Sequence, residues 1–274
     1  MAQTDIQLLL LDIDGTIAGQ SNTIREPVLK AIQAAQAKGV QVGIATGRMY
    51  QSALRFYEAV GSVLPLAAYQ GAWIQDPRTS TVHHHLPVSC AIAGQLLDHF
   101  EEPPLRDALS VHFYINDQLY VRELTPETRL YAERSQITPV VVGDLRTVFP
   151  QQPTKILALS KDTEMIGTLL GGLQQRYTPA ELYLTSSVAS FFEATHPTAN
   201  KGTAAAFIAE KLLGLSAEQV MTVGDNFNDV EMLQYAGIGV AMGDAPEAVK
   251  ACADWVAPSV EADGVVAAIE EFIL

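Results

Sequence analysis

Basic residues are scarce in this sequence: Lys and Arg number 17 against 31 Asp and Glu in 274 residues, a formal net charge of −14. So few cations argue against a nucleic-acid backbone or an anionic membrane as the main partner, and any anionic ligand must be held by local positive charge. Cysteine is scarcer still. Cys90 and Cys252 stand apart, outside any spaced metal or redox pattern, and are expected to be reduced thiols. The apolar run Leu8–Leu11 is too short for a spanning helix or a signal h-region, and an acid rather than a basic cluster precedes it. A soluble, cytoplasmic protein is expected. No internal repeat, low-complexity run or flexible linker stands out.

What is present is alternation. Apolar runs at 6–11, 40–45 and 64–69 alternate with amphipathic stretches at 26–38 and 51–60, a β-α-β-α-β order that implies a parallel sheet with right-handed crossovers. In the first helix Val28, Leu29, Ile32 and Ala35 share a face, Pro27 suits the first turn and Gly39 the stop. The pattern resumes with a helix at 202–213, strands at 219–223 and 238–241, a helix near 230–235 and a last helix from Gly264. Between these lies a different texture. Strands at 111–115 and 119–122 flank a hairpin turn, Asn116-Asp117-Gln118, and helices at 88–100, 126–136 and 163–176 interleave with strands at 155–160, 182–185 and 190–193. The expected fold is therefore a Rossmann-like α/β core, residues 1–82 and 197–274, with an inserted α+β domain at 83–196.

Four motifs recur at one kind of place, the end of a core strand or the start of the next helix. Asp12-Ile13-Asp14-Gly15-Thr16 ends the first strand with two carboxylates, and in open α/β sheets ligands collect at such strand ends. Gly224-Asp225-Asn226-Phe227-Asn228-Asp229 crowds oxygen acceptors after a later strand, suited to a hard cation. Thr46-Gly47-Arg48 offers a hydroxyl and backbone amides at a helix start, and Lys201 opens the helix after the insert. Taken alone, each has a plain structural use: an Asx turn, a helix cap, a strand-to-helix turn and a solvated lysine.

Together, in this order, the motifs resemble those of the haloacid dehalogenase superfamily, and an insert between the second and third resembles the Cof-type phosphatases with a large α/β (type IIB) cap. The resemblance implies a magnesium-dependent phosphatase for small phosphorylated metabolites, with Asp12 as nucleophile forming an aspartyl-phosphate and Asp14 as proton donor and then base. It implies Mg2+ held by Asp12, the backbone carbonyl of Asp14 and Asp225. The phosphoryl oxygens would be bound by Thr46, the amides of Ile13 and Gly47, Asn228 and Lys201, with Asp229 acting through metal-bound water or Lys201. Arg48 is left between a contact to substrate or cap and a structural ion pair. This chain departs from the family at Gln70-Gly71-Ala72, where relatives often carry Asn-Gly-Ala, and at 196–200, before the lysine. Two other functions fit the same residues: a phosphotransferase or phosphomutase, in which a sugar hydroxyl replaces water, and a non-catalytic regulator that binds phosphometabolites. His83-His84-His85 is expected in a strand, where alternating side chains do not converge on one ion. Tyr183, Phe191 and Phe192 are expected to pack within the insert's sheet.

Overall fold

The computed structural model describes residues 5–274. Contacts divide the chain into a first unit, comprising residues up to Arg48 with Ala53–His83 and Asn200–Leu274, and a second of Met49–Ser52 with His84–Ala199. No helix among the described residues is long and apolar enough to cross a membrane.

The first unit is built on a five-stranded parallel sheet in the order Trp255–Val256, Ile238–Ala241, Val220–Gly224, Leu8–Leu11, Gln41–Ile44. Leu8–Leu11 lies at its centre and is buried along its whole length, as expected of a parallel strand covered on both faces. The strand Leu66–Ala68 attaches beside Gln41–Ile44 through one parallel bridge, Ala45 to Ala67, and then pairs with Trp73–Asp76 in a three-stranded sheet completed by Thr81–His85. The sequence expectation holds a strand at 64–69 and another at the histidine run, but not Trp73–Asp76 between them, whose short span carries no clean alternation, nor their pairing in one sheet.

The helix Glu26–Ala37 starts with a proline in its first turn and buries Val28, Ala31, Ile32 and Ala35, while Gly39 beyond it has φ +92°. Leu29, expected on the inner face, is half-buried, and Ala31 takes that position. A second departure follows Lys201. The expected single helix is an α-helix over Lys201–Ala206 continued by π-helical winding over Phe207–Leu213. Apolar spacing over so few residues does not separate one winding from the other.

In the second unit a six-stranded sheet runs Tyr183–Thr185, Phe191–Thr195, Lys155–Leu159, Ser110–Ile115, Gln118–Val121, Val140–Val141, antiparallel except for the last pair. Alternate residues sort to two faces. Phe113, Ile115, Ile156, Ala158, Phe192 and Ala194 pack with the helices Cys90–Phe100 and Thr163–Arg176 into one apolar core. The hairpin turn is tighter than expected. Gln118 pairs with Ile115, so Asn116 and Asp117 alone turn the chain, at φ 50° and 57°, the left-handed values a two-residue hairpin needs. Phe192 is buried, whereas Tyr183 and Phe191 are half-buried. The histidine run lies in the strand Thr81–His85, with His85 Nε2 2.9 Å from Thr154 Oγ1.

The other sheet face holds a buried polar group of its own. Lys155 Nζ lies 3.1 Å from Glu193 Oε2, and fully buried His112 contacts Thr128 Oγ1 through Nε2 at 2.9 Å. Burial, reinforced by the Lys155 ammonium, pushes the His112 pKa down to about 3. The unfolded chain therefore takes up a proton near pH 6.5 that the folded chain refuses, so this contribution to stability is whole above pH 6.5 and is lost as pH falls towards 3. At pH 5 the loss should be about 2 kcal/mol. Urea unfolding at pH 7.5 and pH 5, compared between wild type and His112→Phe, checks this. Identical pH slopes in the two proteins would remove His112 as the cause.

Candidate active site

The site residues meet because three strands are neighbours. Leu11 is in register with Val223 on one side and Ile44 on the other, so the residues that follow, Asp12, Asp225 and Thr46, leave adjacent parallel strands at the same edge. The Asp12 amide continues the pairing by donating to Val223 O at 3.1 Å. Three successive amides, those of Thr16, Ile17 and Ala18, then converge on Ile13 O and wind the loop tightly. Gly15 is required at its apex for two reasons. Its φ is +80°, and a Cβ there would come within 2.2 Å of Asp225 Oδ2. Removing the side chain at 15 is what lets the Asp225 carboxylate approach the first loop, where Thr16 Oγ1 also donates to Asp225 Oδ1 at 3.3 Å.

Lys201 is the buried cation of the site. It opens its helix behind Asn200, whose side chain accepts from Thr203 N at 2.8 Å in a reciprocal cap. Its ammonium lies 2.7 Å from Asp12 Oδ1 and also binds Asp229 Oδ1. Asp229 is fixed from its other oxygen by the amides of Asp225 and Asn226, at 2.9 and 3.0 Å. Oxygens of Asp12, Asp225 and Asp229 all lie within 4.8 Å of one another.

This crowding shows in the acidities. Burial pushes the Asp12 pKa up to about 7, opposed by Lys201 and aided by the Asp229 and Asp14 carboxylates. Burial pushes Asp225 to about 9, with Asp229 and Asp12 adding to it. Lys201 moves the other way from a buried amine: desolvation lowers its pKa, but the Asp12 and Asp229 carboxylates outweigh that and hold it well above the usual value. One ammonium thus faces three clustered carboxylates. An all-oxygen donor set with uncompensated negative charge fits a hard divalent cation.

Asp14 and Arg48 face each other instead. Arg48 Nε and Nη2 grip the two Asp14 oxygens at 2.7 and 2.6 Å, Nη2 also binds Asn22 Oδ1 at 2.6 Å, and the guanidinium stacks 4.6 Å from the Phe56 ring centroid. The Asp14 carboxylate is therefore turned towards Arg48. Thr46, almost fully buried, accepts the Arg48 amide on its hydroxyl at 3.2 Å, which orients the oxygen and leaves the hydroxyl hydrogen to donate elsewhere. Asn228 is buried beside Gln70, to which its Nδ2 donates at 3.1 Å. Thr16 and Asn22 belong to this constellation and were not singled out from the sequence. Thr16 sits inside the first motif, whereas nothing local marks Asn22.

A family model described as haloacid dehalogenase-like hydrolase matches residues 9–269. The chain belongs to this family. Among curated relatives it is similar to the Bacillus subtilis 5-amino-6-(5-phospho-D-ribitylamino)uracil phosphatase YitU, with 28% identity over 98% of each chain. It is also similar to the Escherichia coli pyridoxal phosphate phosphatase YbhA, with 27% identity over 91% of this chain and 92% of that one. The solved structure of a haloacid dehalogenase-like hydrolase from B. subtilis superposes with a TM-score of 0.84 at 26% identity, covering 97% of this chain and 99% of that one. The chain is a hydrolase of the haloacid dehalogenase phosphatase type, with an α/β core and a second α+β unit of the Cof type.

Proposed function

We propose that the protein is a magnesium-dependent phosphatase that removes a phosphoryl group from a small phosphorylated metabolite by way of an aspartyl-phosphate on Asp12. The observation that carries this is the position of Asp12, at the end of the central strand, with one oxygen held 2.7 Å from a buried lysine and two further carboxylates beside it. A nucleophile so fixed is aimed before substrate arrives, and a covalent intermediate splits a hard transfer into two easier ones. Asp12 and Asp225, with the Asp14 carbonyl, would hold Mg2+, which when bound offsets the repulsion between these carboxylates and an anionic phosphoryl group.

The remaining work belongs to the chain. Lys201, the Thr46 hydroxyl, the Ile13 and Gly47 amides and Asn228 donate to the phosphoryl oxygens as charge shifts onto them. Asp14 protonates the leaving oxygen and later takes a proton from the attacking water. Its two-pronged pairing with Arg48 orients the carboxylate, and proton donation takes it out of that pairing. Asp229 keeps Lys201 charged and in place. Substrate selection falls to residues 83–196, because the phosphoryl chemistry is supplied entirely from outside them. The substrates in the names of YitU and YbhA are both small phosphate esters, which supports a metabolite of that size.

Steady-state turnover of a panel of phosphorylated metabolites with Mg2+, compared as kcat/KM, tests the substrate class. Stoichiometric release of inorganic phosphate is expected. Transfer to a sugar hydroxyl without release would make the protein a phosphotransferase. EDTA is expected to abolish activity and Mg2+ to restore it, whereas Ca2+ restores it poorly. Calcium accepts more oxygens at longer bonds, so it would engage both oxygens of Asp12 and leave none for in-line attack. Full activity in Ca2+ would contradict this account of Asp12.

A further inference from the structure

Gln70 places a polar side chain at a point of the fold that has no exposure at all. It follows Tyr69 in left-handed backbone, φ 53° and then 60°, a region that side chains of this size seldom occupy and that marks constrained, functional segments. The turn containing Thr46 imposes it: the Gln70 amide donates to Thr46 O at 2.9 Å and the Tyr69 amide to Arg48 O at 2.8 Å. The side chain is thereby set between two residues assigned above to phosphoryl binding. On one side, a Cβ on Gly47 would come within 2.5 Å of Gln70 Nε2, so glycine at 47 is what makes room for this amide. On the other, Asn228 Nδ2 donates to Gln70 Oε1 at 3.1 Å, while Asn228 Oδ1 is buried without a partner among the described residues.

That unequal pairing is informative. A carboxamide is a flat fork with a donor end and an acceptor end, and shape alone does not decide which end faces a ligand. For a phosphoryl oxygen the choice is decisive, since the donor end binds it and the acceptor end repels it. By accepting one Nδ2 hydrogen, Gln70 Oε1 fixes the donor end of Asn228 and leaves the second N–H for a ligand, even though Oδ1 goes unpaired. We propose that Gln70 is a positioning residue, wedged between Gly47 and Asn228, that sets the Asn228 amide with its donor end towards the phosphoryl group. The inference rests on the phosphatase reading above and adds to it the residue that orients one phosphoryl ligand.

The test uses the full chain with p-nitrophenyl phosphate and Mg2+, and inorganic phosphate as the competing ligand. Gln70→Leu is expected to raise KM and the phosphate inhibition constant about tenfold, the worth of one hydrogen bond to a charged group, with a smaller change in kcat. Asn228→Ala should show the same rise, and the double variant should be no worse than Asn228→Ala alone. If Gln70→Leu does not fold by circular dichroism, Gln70→Met carries the test with the same expectation, because its unbranched side chain fills the same space without the amide oxygen that Asn228 Nδ2 reaches at 3.1 Å. A purely structural role for Gln70 would lower kcat and melting temperature without moving the phosphate constant, and its effect would multiply with that of Asn228→Ala. Either result overturns the inference. A wild-type protein with no Mg2+-dependent hydrolysis would overturn the phosphatase reading and this inference together, whereas an active wild type with indifferent Gln70 variants removes the inference alone.

Discussion

Asp12→Asn should abolish phosphatase activity, by roughly 10^4-fold or more in kcat, while the protein stays folded. The substitution replaces the attacking oxygen with an amide and removes a cation ligand, yet changes almost no volume in a position that is 4% exposed. It also leaves Lys201 with Asp229, so the buried ammonium keeps a counter-charge. The stability consequence has a definite sign. Because the folded protein raises the Asp12 pKa from 3.8 to about 7, it binds this proton more tightly than the unfolded chain does. The resulting stabilisation is present below pH 3.8 and is lost as pH rises through 7. In the presence of EDTA, Asp12→Asn should therefore gain stability over wild type between pH 4 and 7, on the order of a few kcal/mol. Urea unfolding at pH 4.5 and pH 8 reads this directly, alongside steady-state kinetics with p-nitrophenyl phosphate. Near-normal turnover would remove Asp12 from its role, and a variant less stable at pH 8 than wild type would contradict the electrostatic account of the site.

Lys201→Met carries the second largest effect and acts on both folding and function. The lysine is 1% exposed and bridges Asp12 and Asp229, themselves buried. Removing it strands two carboxylates away from water with no cation, and breaking a buried pair in this way costs about 3–5 kcal/mol. The melting temperature should fall by roughly 10 °C. Activity should fall with it, since the phosphoryl group loses its charged donor and Asp12 its anchor. The two losses can be separated. In Lys201→Met/Asp229→Asn one stranded charge is gone, so stability should recover towards wild type while activity stays lost. Recovery of both would show that Lys201 serves only to keep the site folded. A single variant with unchanged melting temperature would show that solvent or relaxation compensates the carboxylates.

The sequence alone determined the alternation of strands and helices, the four motifs and their place at strand ends, because these follow from local causes. A buried parallel strand must be apolar throughout, as Leu8–Leu11 is, and Pro27 and Gly39 bracket their helix through backbone preferences that need no partner. The hairpin at Asn116-Asp117 was legible for the same reason, although its length by one residue was not. Tertiary structure alone decided which side chain each motif residue meets. Whether Arg48 reaches out to a ligand or turns back was open in the sequence, and it pairs with Asp14 and Asn22, 34 and 26 residues away. That Asp12 shares Lys201 with Asp229, and that Gln70 rather than solvent holds Asn228, likewise depends on strands 8–11, 41–44 and 220–224 being neighbours in the sheet. The raised pKa values of Asp12 and Asp225 arise there too, since burial and crowding of like charges are properties of the packed site and not of any residue in the chain.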